Sequence, residues 1–246
     1  MRILVTGGTG YLGRELVARG CDGVSTRDFD IRDAPAVRDT VARYDAVIHT
    51  AYRQEPPDAW AVIVDGSRTV AEAASAADAR LIHMSTDVVF SGARGRYVED
   101  DHLDPVTDYG RAKAEAEGVV TRAHPGALLV RTSLLYGGAT PGRHERDALE
   151  ARFPFFTDEL RCPTHVADLA DALLELVRLD VAGPLHVAAD EVVSRCELAR
   201  LIARREVPCT STEEAGVTRP LDCTLDSSRS RALLSTRLRN VHEVLA

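Results

Sequence analysis

Lysine is almost missing from this chain: of thirty basic residues in 246, one, Lys113, is a lysine and the rest are arginines. Wherever a positive charge alone suffices the sequence uses arginine, so the exception marks a place where a compact, tunable ammonium does what a guanidinium cannot. An excess of basic charge is missing as well. Thirty-eight acidic residues leave a formal net charge of −8 and no basic block, which excludes a phosphate backbone or an anionic membrane surface as the main partner. No apolar run approaches the ~18 residues of a membrane span, and Met1 leads straight into a short strand and glycines without a charged, signal-like leader. The five cysteines, Cys21, Cys162, Cys196, Cys209 and Cys223, are odd in number and never form C-x-x-C. They show no disulfide framework and no zinc site, and the expected compartment is a reducing cytoplasm. The eight histidines never take H-x-x-x-H or H-E-x-x-H spacing, which argues against a catalytic metal, and no G-x-S-x-G supplies a hydrolase nucleophile.

What is present is a chain of ordinary globular composition, 45% hydrophobic and 28% charged, long enough for one large domain or a domain with a small appendage. Arg2 to Thr6 is a short, β-branched apolar run ended by Gly7, Gly8 and Gly10 and followed by helical spacing of Leu12, Leu16 and Val17. The alternation continues with strands predicted at Val24–Thr26, Ala46–His49, Arg80–Met84 and Ala127–Arg131, and helices at about Ala34–Arg43, Trp60–Ala77 and Tyr109–Arg122. Repeated β-α units with short apolar strands predict an α/β fold, a Rossmann-type doubly wound parallel sheet with helices on both faces. Beyond Gly137 the composition shifts, through a glycine-rich loop and Phe153-Pro154-Phe155-Phe156, to a helix at Val166–Leu179, a strand at Leu185–Ala188 and a helix at Cys196–Arg205. The expected division is residues 1–137 as an NAD(P)-binding unit and 138–246 as a small substrate-binding subregion completing the same compact fold.

Gly8-Thr9-Gly10-Tyr11-Leu12-Gly13 is a G-x-G-x-x-G, and with Gly7 also a G-x-x-G-x-x-G, between strand and helix. Glycines let backbone approach a pyrophosphate, and the free N–H groups and dipole of a helix N-terminus attract its charge, so the context makes the pattern a dinucleotide site. At the end of the second strand an acid favours NAD(H) and an arginine NADP(H). Thr26 and Arg27 stand there and Arg14 follows the last glycine, which favours NADP(H); the neighbouring Asp28 leaves NAD(H) open.

Tyr109 and Lys113 are four apart, hence on one helix face. A phenol with an ordinary pKa near 10 is a poor acid or base at neutral pH. A cation at ~4 Å in an effective dielectric of ~20 contributes up to about 4 kcal/mol in favour of tyrosinate, which predicts tuning of Tyr109 by Lys113. Ser85-Thr86-Asp87 closes a strand at its carboxyl end, where open α/β sheets bind ligands, although such residues often serve only as turn or cap.

Together these residues resemble the extended short-chain dehydrogenase/reductases, and within them the dTDP-4-dehydrorhamnose reductases. The likeness runs through Ile3–Gly7 and the glycine turn, Asp30-Ile31-Arg32-Asp33, His49-Thr50-Ala51, Ser85 to Gly92, Tyr109 to Lys113, Arg131-Thr132-Ser133 with Tyr136-Gly137, and Pro163-Thr164 before Asp168-Leu169-Ala170. The resemblance implies Thr86, Tyr109 and Lys113 as catalytic residues, and Asp87 and Leu134 beside Thr86 as substrate contacts. It implies a cofactor held by Gly7, Gly10, Tyr11, Leu12, Gly13, Arg27, Asp30, Ile31, Thr50, Ala51 and Tyr52 together with Tyr109 and Lys113, and no metal. Where the family carries aromatics after Thr-Asp and after Arg-Thr-Ser, this chain has Val88 and Leu134, and Asp65 stands for an expected asparagine. Val88 also takes the place of the second acid that related nucleotide-sugar 4,6-dehydratases need.

The expected function is NADPH-dependent reduction of a ketone, a nucleotide-activated 4-keto-6-deoxysugar by the resemblance, with Tyr109 as proton donor. The alternatives are a reductase or epimerase of a smaller carbonyl metabolite, and a non-catalytic cofactor-binding regulatory subunit, since relatives serve as accessory subunits of methionine adenosyltransferase. The expected partner is a small-molecule carbonyl substrate, with no nucleic acid and no membrane; a homodimer is compatible with the sequence.

Overall fold

The first strand, β1 (Ile3–Thr6), turns through three glycines into α1 (Tyr11–Ala18), and β2 (Asp22–Val24), α2 (Ala34–Val41), β3 (Ala46–His49), α3 (Ala59–Ala76), β4 (Arg80–Thr86), α4 (Asp108–Ala123) and β5 (Leu128–Thr132) repeat the unit. This computed structural model describes residues 1–53 and 57–246. The strands are apolar on both sides because helices cover both faces of the sheet. Val5, Ile48, Ile82 and Val130 face α1, while Leu4, Val47, Leu81 and Leu129 face α2, α3 and α4. Each such fully buried aliphatic side chain stabilises the fold by roughly 1.5–3 kcal/mol.

The second half adds short pieces: β6 (Leu135–Tyr136), α5 (Arg143–Glu150), β7 (Phe155–Phe156), β8 (Leu160–Arg161), β9 (Thr164–His165), α6 (Val166–Leu176), β10 (Gly183–His186), β11 (Val193–Ser194), α7 (Arg195–Ala203), β12 (Cys209–Thr210), α8 (Ser228–Leu233) and α9 (Val241–Leu245). Two of them, α6 and β10, join the central core, α6 packing beside α1 and β10 pairing in parallel with β5. The six-stranded parallel sheet runs β10-β5-β4-β3-β1-β2. Chain direction therefore diverges at β1 and β3, and ligands of open α/β sheets bind at such a switch point, outside the carboxyl ends of the strands. Two-stranded ribbons, β6 with β9, β7 with β12 and β8 with β11, build the C-terminal region over that edge.

Two sequence expectations are corrected. The second strand ends at Val24 and not at Thr26, because the Asp28 carboxylate accepts hydrogen bonds from the Ser25 N–H (2.8 Å) and hydroxyl (3.1 Å) and turns the chain there. The cysteines are not all free: Cys196 and Cys209 form a disulfide, with Cα atoms 5.8 Å apart. Cys196 on α7 and Cys209 on β12 meet in an apolar cluster with Phe155, Ala199 and Val207, a pairing at separation 13 that a search for C-x-x-C does not see. Cys21, Cys162 and Cys223 are buried free thiols. Among the described residues no helix is long and apolar enough to cross a membrane.

Candidate active site

A cavity of about 790 Å³ lies along the carboxyl ends of the strands and continues beneath the C-terminal region. Its first arm starts at the glycine turn. Gly7 has φ +78°, which a side chain rarely adopts, and a Cβ there would lie 2.9 Å from the Ala51 backbone, so β1 and β3 approach as closely as glycine allows. A Cβ on Gly13 would lie 2.1 Å from the Gly7 carbonyl oxygen, and one on Gly10 3.0 Å from the same atom. The helices α2, α4 and α7 are capped by the side chains of Asp33, Thr107 and Ser194, whereas α1 begins at Gly10 with no side-chain cap. The first-turn N–H groups of α1 are thereby left for a ligand in the cavity. A cradle that only glycine permits, at an uncapped helix start on the switch point, fits the pyrophosphate of a dinucleotide.

Gly7, Gly10, Tyr11, Leu12, Gly13, Asp30, Ile31, Thr50, Ala51 and Tyr52 all line this cavity. Thr50 is fixed by its hydroxyl, which donates to the Thr6 carbonyl (2.7 Å). Ile31 fills the space that a side chain on Gly66 would need, 2.6 Å away. Asp30 is clasped by Arg32, whose guanidinium holds its carboxyl below the usual range. The Tyr11 hydroxyl donates to Glu145 Oε2 (2.6 Å) and accepts from the Gly138 N–H (2.8 Å), tying the glycine turn to the loop before α5. Arg27 does not line the cavity, and neither does Arg14; with β2 ending early, Ser25 and Thr26 stand at the edge that Arg27 was expected to occupy.

Thr86, Tyr109 and Lys113 converge where the two arms of the cavity meet. Thr86 ends β4, and its hydroxyl donates to Asp87 Oδ1 (3.1 Å) and accepts from the Val88 N–H (3.4 Å). Thr86 is the neighbour whose hydroxyl opposes the rise of the Tyr109 pKa. The Lys113 ammonium is buried, donates to the Met84 carbonyl (2.7 Å) and lies 5.7 Å from the centre of the Tyr52 ring. Burial lowers its pKa to about 8, with Glu117 opposing. The expected tuning of the phenol is corrected. Burial above all, with Tyr52 and Asp87 adding to it and Thr86 opposing, pushes Tyr109 well above its ordinary value, and the Lys113 ammonium turns to the Met84 carbonyl and the Tyr52 face. Tyr109 is a neutral phenol, which is the form that donates a proton.

Asp87 is buried and its pKa is raised by desolvation, against Arg161 (3.6 Å) and the Ser133 hydroxyl, which donates to Oδ2 (2.6 Å). Val88 and Leu134 line the wall beside it. The second arm holds residues to which the sequence reading gave no role in the site: Arg143, His144, Phe153, Phe155, Phe156, Glu159, Arg161, Arg195 and Arg219. Arg161 is anchored by the carbonyls of Leu160 (2.7 Å), Pro220 (2.8 Å) and Leu221 (2.7 Å). Arg219 donates to Glu159 (2.5 Å), and Arg195 donates to His144 Nδ1 (3.3 Å). Burial and the surrounding arginines drive the His144 pKa down to about 3, so it accepts as a neutral imidazole. Four guanidiniums around His144, those of Arg143, Arg161, Arg195 and Arg219, and a wall of phenylalanine make this arm suited to an anionic ligand with a flat or apolar portion. In a chain whose positive charges are nearly all arginine, no local pattern marked these.

The model of the RmlD substrate binding domain matches residues 1–246. A dTDP-4-dehydrorhamnose reductase of Mycolicibacterium smegmatis is 36% identical, over 99% of this chain and 84% of that protein. The methionine adenosyltransferase 2 subunit beta of Bos taurus is 30% identical, over 94% and 82%. Among solved structures, a dTDP-4-dehydrorhamnose reductase from Bacillus anthracis in complex with NADP superposes with a TM-score of 0.87 at 28% identity, covering 99% of this chain and 96% of that one.

Proposed function

Because the chain belongs to the RmlD substrate binding domain family, within the extended short-chain dehydrogenase/reductases, we propose that it reduces the ketone of a nucleotide-activated 4-keto-6-deoxysugar with NADPH. The observation that carries this reading is that Thr86, Tyr109 and Lys113 line the same cavity as the glycine cradle. The cofactor is a nicotinamide dinucleotide. Gly7, Gly10 and Gly13 with the α1 amides would hold its pyrophosphate, Ile31 and Val62 would flank its adenine, and Thr50, Ala51, Tyr52 and Lys113, which line the same cavity, would hold its nicotinamide half. When bound, it supplies the hydride that reaches the carbonyl carbon.

The chain's own residues manage the oxygen. Thr86 donates a hydrogen bond to it, and Tyr109, kept neutral by burial, transfers its phenolic proton as negative charge develops there. Lys113, one helical turn along the same face, would hold the cofactor's ribose. Asp87 and Leu134 contact the sugar, and residues 138–246 supply the wall for the rest of the substrate, with Arg161, Arg195 and Arg219 meeting its diphosphate. NADPH is preferred over NADH because Ser25 and Thr26, and not a free carboxylate, line the cavity after β2, while Asp28 is occupied by Ser25. The protein acts in the cytoplasm.

The test is loss of NADPH absorbance when the protein meets an enzymatically made dTDP-4-keto-6-deoxysugar. Turnover that disappears in Tyr109→Phe supports the reading, and refusal of every such sugar by cofactor-saturated protein sinks the substrate. The regulatory alternative, which the likeness to a methionine adenosyltransferase subunit keeps in view, requires that Tyr109→Phe leave cellular function intact while glycine-turn variants abolish it.

A further inference from the structure

Along α4 the face that carries Tyr109 and Lys113 continues one turn further to Glu117, a side chain the proposed reaction does not use. Its carboxylate is 4% exposed and fully engaged. Arg131 donates Nε to Oε1 (3.0 Å) and Nη2 to Oε2 (2.8 Å), and the Ser85 hydroxyl donates to Oε1. Ser85 follows Met84, the residue whose carbonyl receives Lys113. One carboxylate thus grips β5 through Arg131 and the end of β4 through Ser85, directly behind the strand that seats the ammonium.

We propose that Glu117 is a positioning residue for the reductase reaction: its charge keeps Lys113 an ammonium in a buried site, and its bond to Ser85 fixes the carbonyl on which that ammonium rests. The inference builds on the function proposed above and deepens it. The charged and titratable groups facing Lys113 leave this task to Glu117. Tyr109 and Tyr52 are neutral phenols. His49 on β3 and His83 on β4 are buried imidazoles held far below their ordinary pKa by desolvation and by Lys113 itself, so both are neutral where Lys113 titrates. Arg131 is cationic and turned to Glu117 and the Glu99 carbonyl. On α3, Asp65 is half-exposed and paired with Arg68. Glu117 is the influence that opposes burial at Lys113.

Lys113 is the single lysine of the chain, so protein labelled with [13C]lysine shows one side-chain signal and its titration reads this ammonium alone. The midpoint lies near pH 8 in the parent protein, and in Glu117→Gln it falls by about one pH unit, the effect of removing one nearby opposite charge. Glu117→Asp, which keeps the charge, restores most of the shift. Because Glu117→Gln leaves the Arg131 guanidinium buried without its partner, the double variant E117Q/R131M removes both charges and carries a smaller downward expectation, the loss of the Arg131 cation offsetting part of the loss of Glu117. A Lys113 midpoint unchanged in folded Glu117→Gln, or raised in the double variant, overturns the assignment. The titration needs no turnover, so its outcome is distinct from that of the reductase reading, which stands or falls on Tyr109→Phe.

Discussion

Replacing Gly13 by alanine adds one methyl group, and the structure says where it goes. The new Cβ would lie 2.1 Å from the Gly7 carbonyl oxygen, 2.9 Å from the Gly7 carbonyl carbon and 2.9 Å from Gly8 Cα. All three are backbone atoms of the turn, so no rotamer change relieves the clash, and α1 must move away from the turn by about 1 Å to reach ordinary contact. Overpacking of this kind costs roughly 1–3 kcal/mol in stability. The same movement shifts the α1 amides from their places beside the turn, and a loss of about 2 kcal/mol in binding is roughly thirty-fold in Kd. Gly118→Ala on α4 is the control: its Cβ would meet only the Arg122 guanidinium, at 3.3 Å, the far end of a flexible side chain. Helix propensity then stabilises that variant by about 0.5–1 kcal/mol. Calorimetric titration with NADPH and thermal unfolding measure both variants. Gly13→Ala protein that binds NADPH as tightly as the parent refutes the placement of the pyrophosphate.

Acid should unfold this protein early. Desolvation holds the buried imidazoles of His49 and His144 to about pH 3, that of His186 to about 4 and that of His83 well below 6.5. In each case the unfolded state takes a proton first, so stability is lost as pH falls from 6.5 toward the folded values, by up to about 1.4 kcal/mol per pH unit per histidine; a urea midpoint that does not fall between pH 6.5 and 5 contradicts this. Asp87, raised by burial, works in the opposite direction but is one group against four. Under denaturing, non-reducing conditions a thiol count should find the three free cysteines and not five, and Cys196→Ser should lower stability by about 3 kcal/mol, the loop-closure value for a short loop. Thr26→Asp should reverse the cofactor preference by placing a carboxylate against a 2′-phosphate, read as the ratio of NADPH to NADH dissociation constants; an unchanged ratio removes the turn after β2 from the discrimination.

The β-α framework was legible because each strand is a short apolar run closed by glycine or polar residues, a local property. Ala46–His49 lies where the sequence puts it, and α3 and α4 differ from expectation by one residue at each end. The glycine turn was legible for the same reason, since strand, turn and helix occupy the consecutive residues Ile3 to Ala18. Features set by a single side-chain hydrogen bond, or by a second segment, were not. Val24 to Thr26 reads as strand until the Asp28 carboxylate captures Ser25, and that two-residue change moves Arg27 off the cavity and brings Thr26 to it.

The second arm of the cavity was hidden for a stronger reason. Arg161, Arg195 and Arg219 lie on or beside two-residue strands and a short helix start, where neither period 2 nor period 3.6 has room to show. They become a site only because Glu159, at the start of β8, draws Arg161 and Arg219 to one point, and His144 on α5 fixes Arg195 there. Lysine scarcity acted the opposite way on the two halves of the site. It made Lys113 conspicuous against twenty-nine arginines, and it made each functional arginine look like the rest. A search for residue types therefore finds the buried ammonium and misses the buried guanidiniums of the second arm. Burial separates them: Arg161, 2% exposed with three carbonyls and an aspartate around it, is held in place at a cost in desolvation that a solvated surface arginine such as Arg27 never meets.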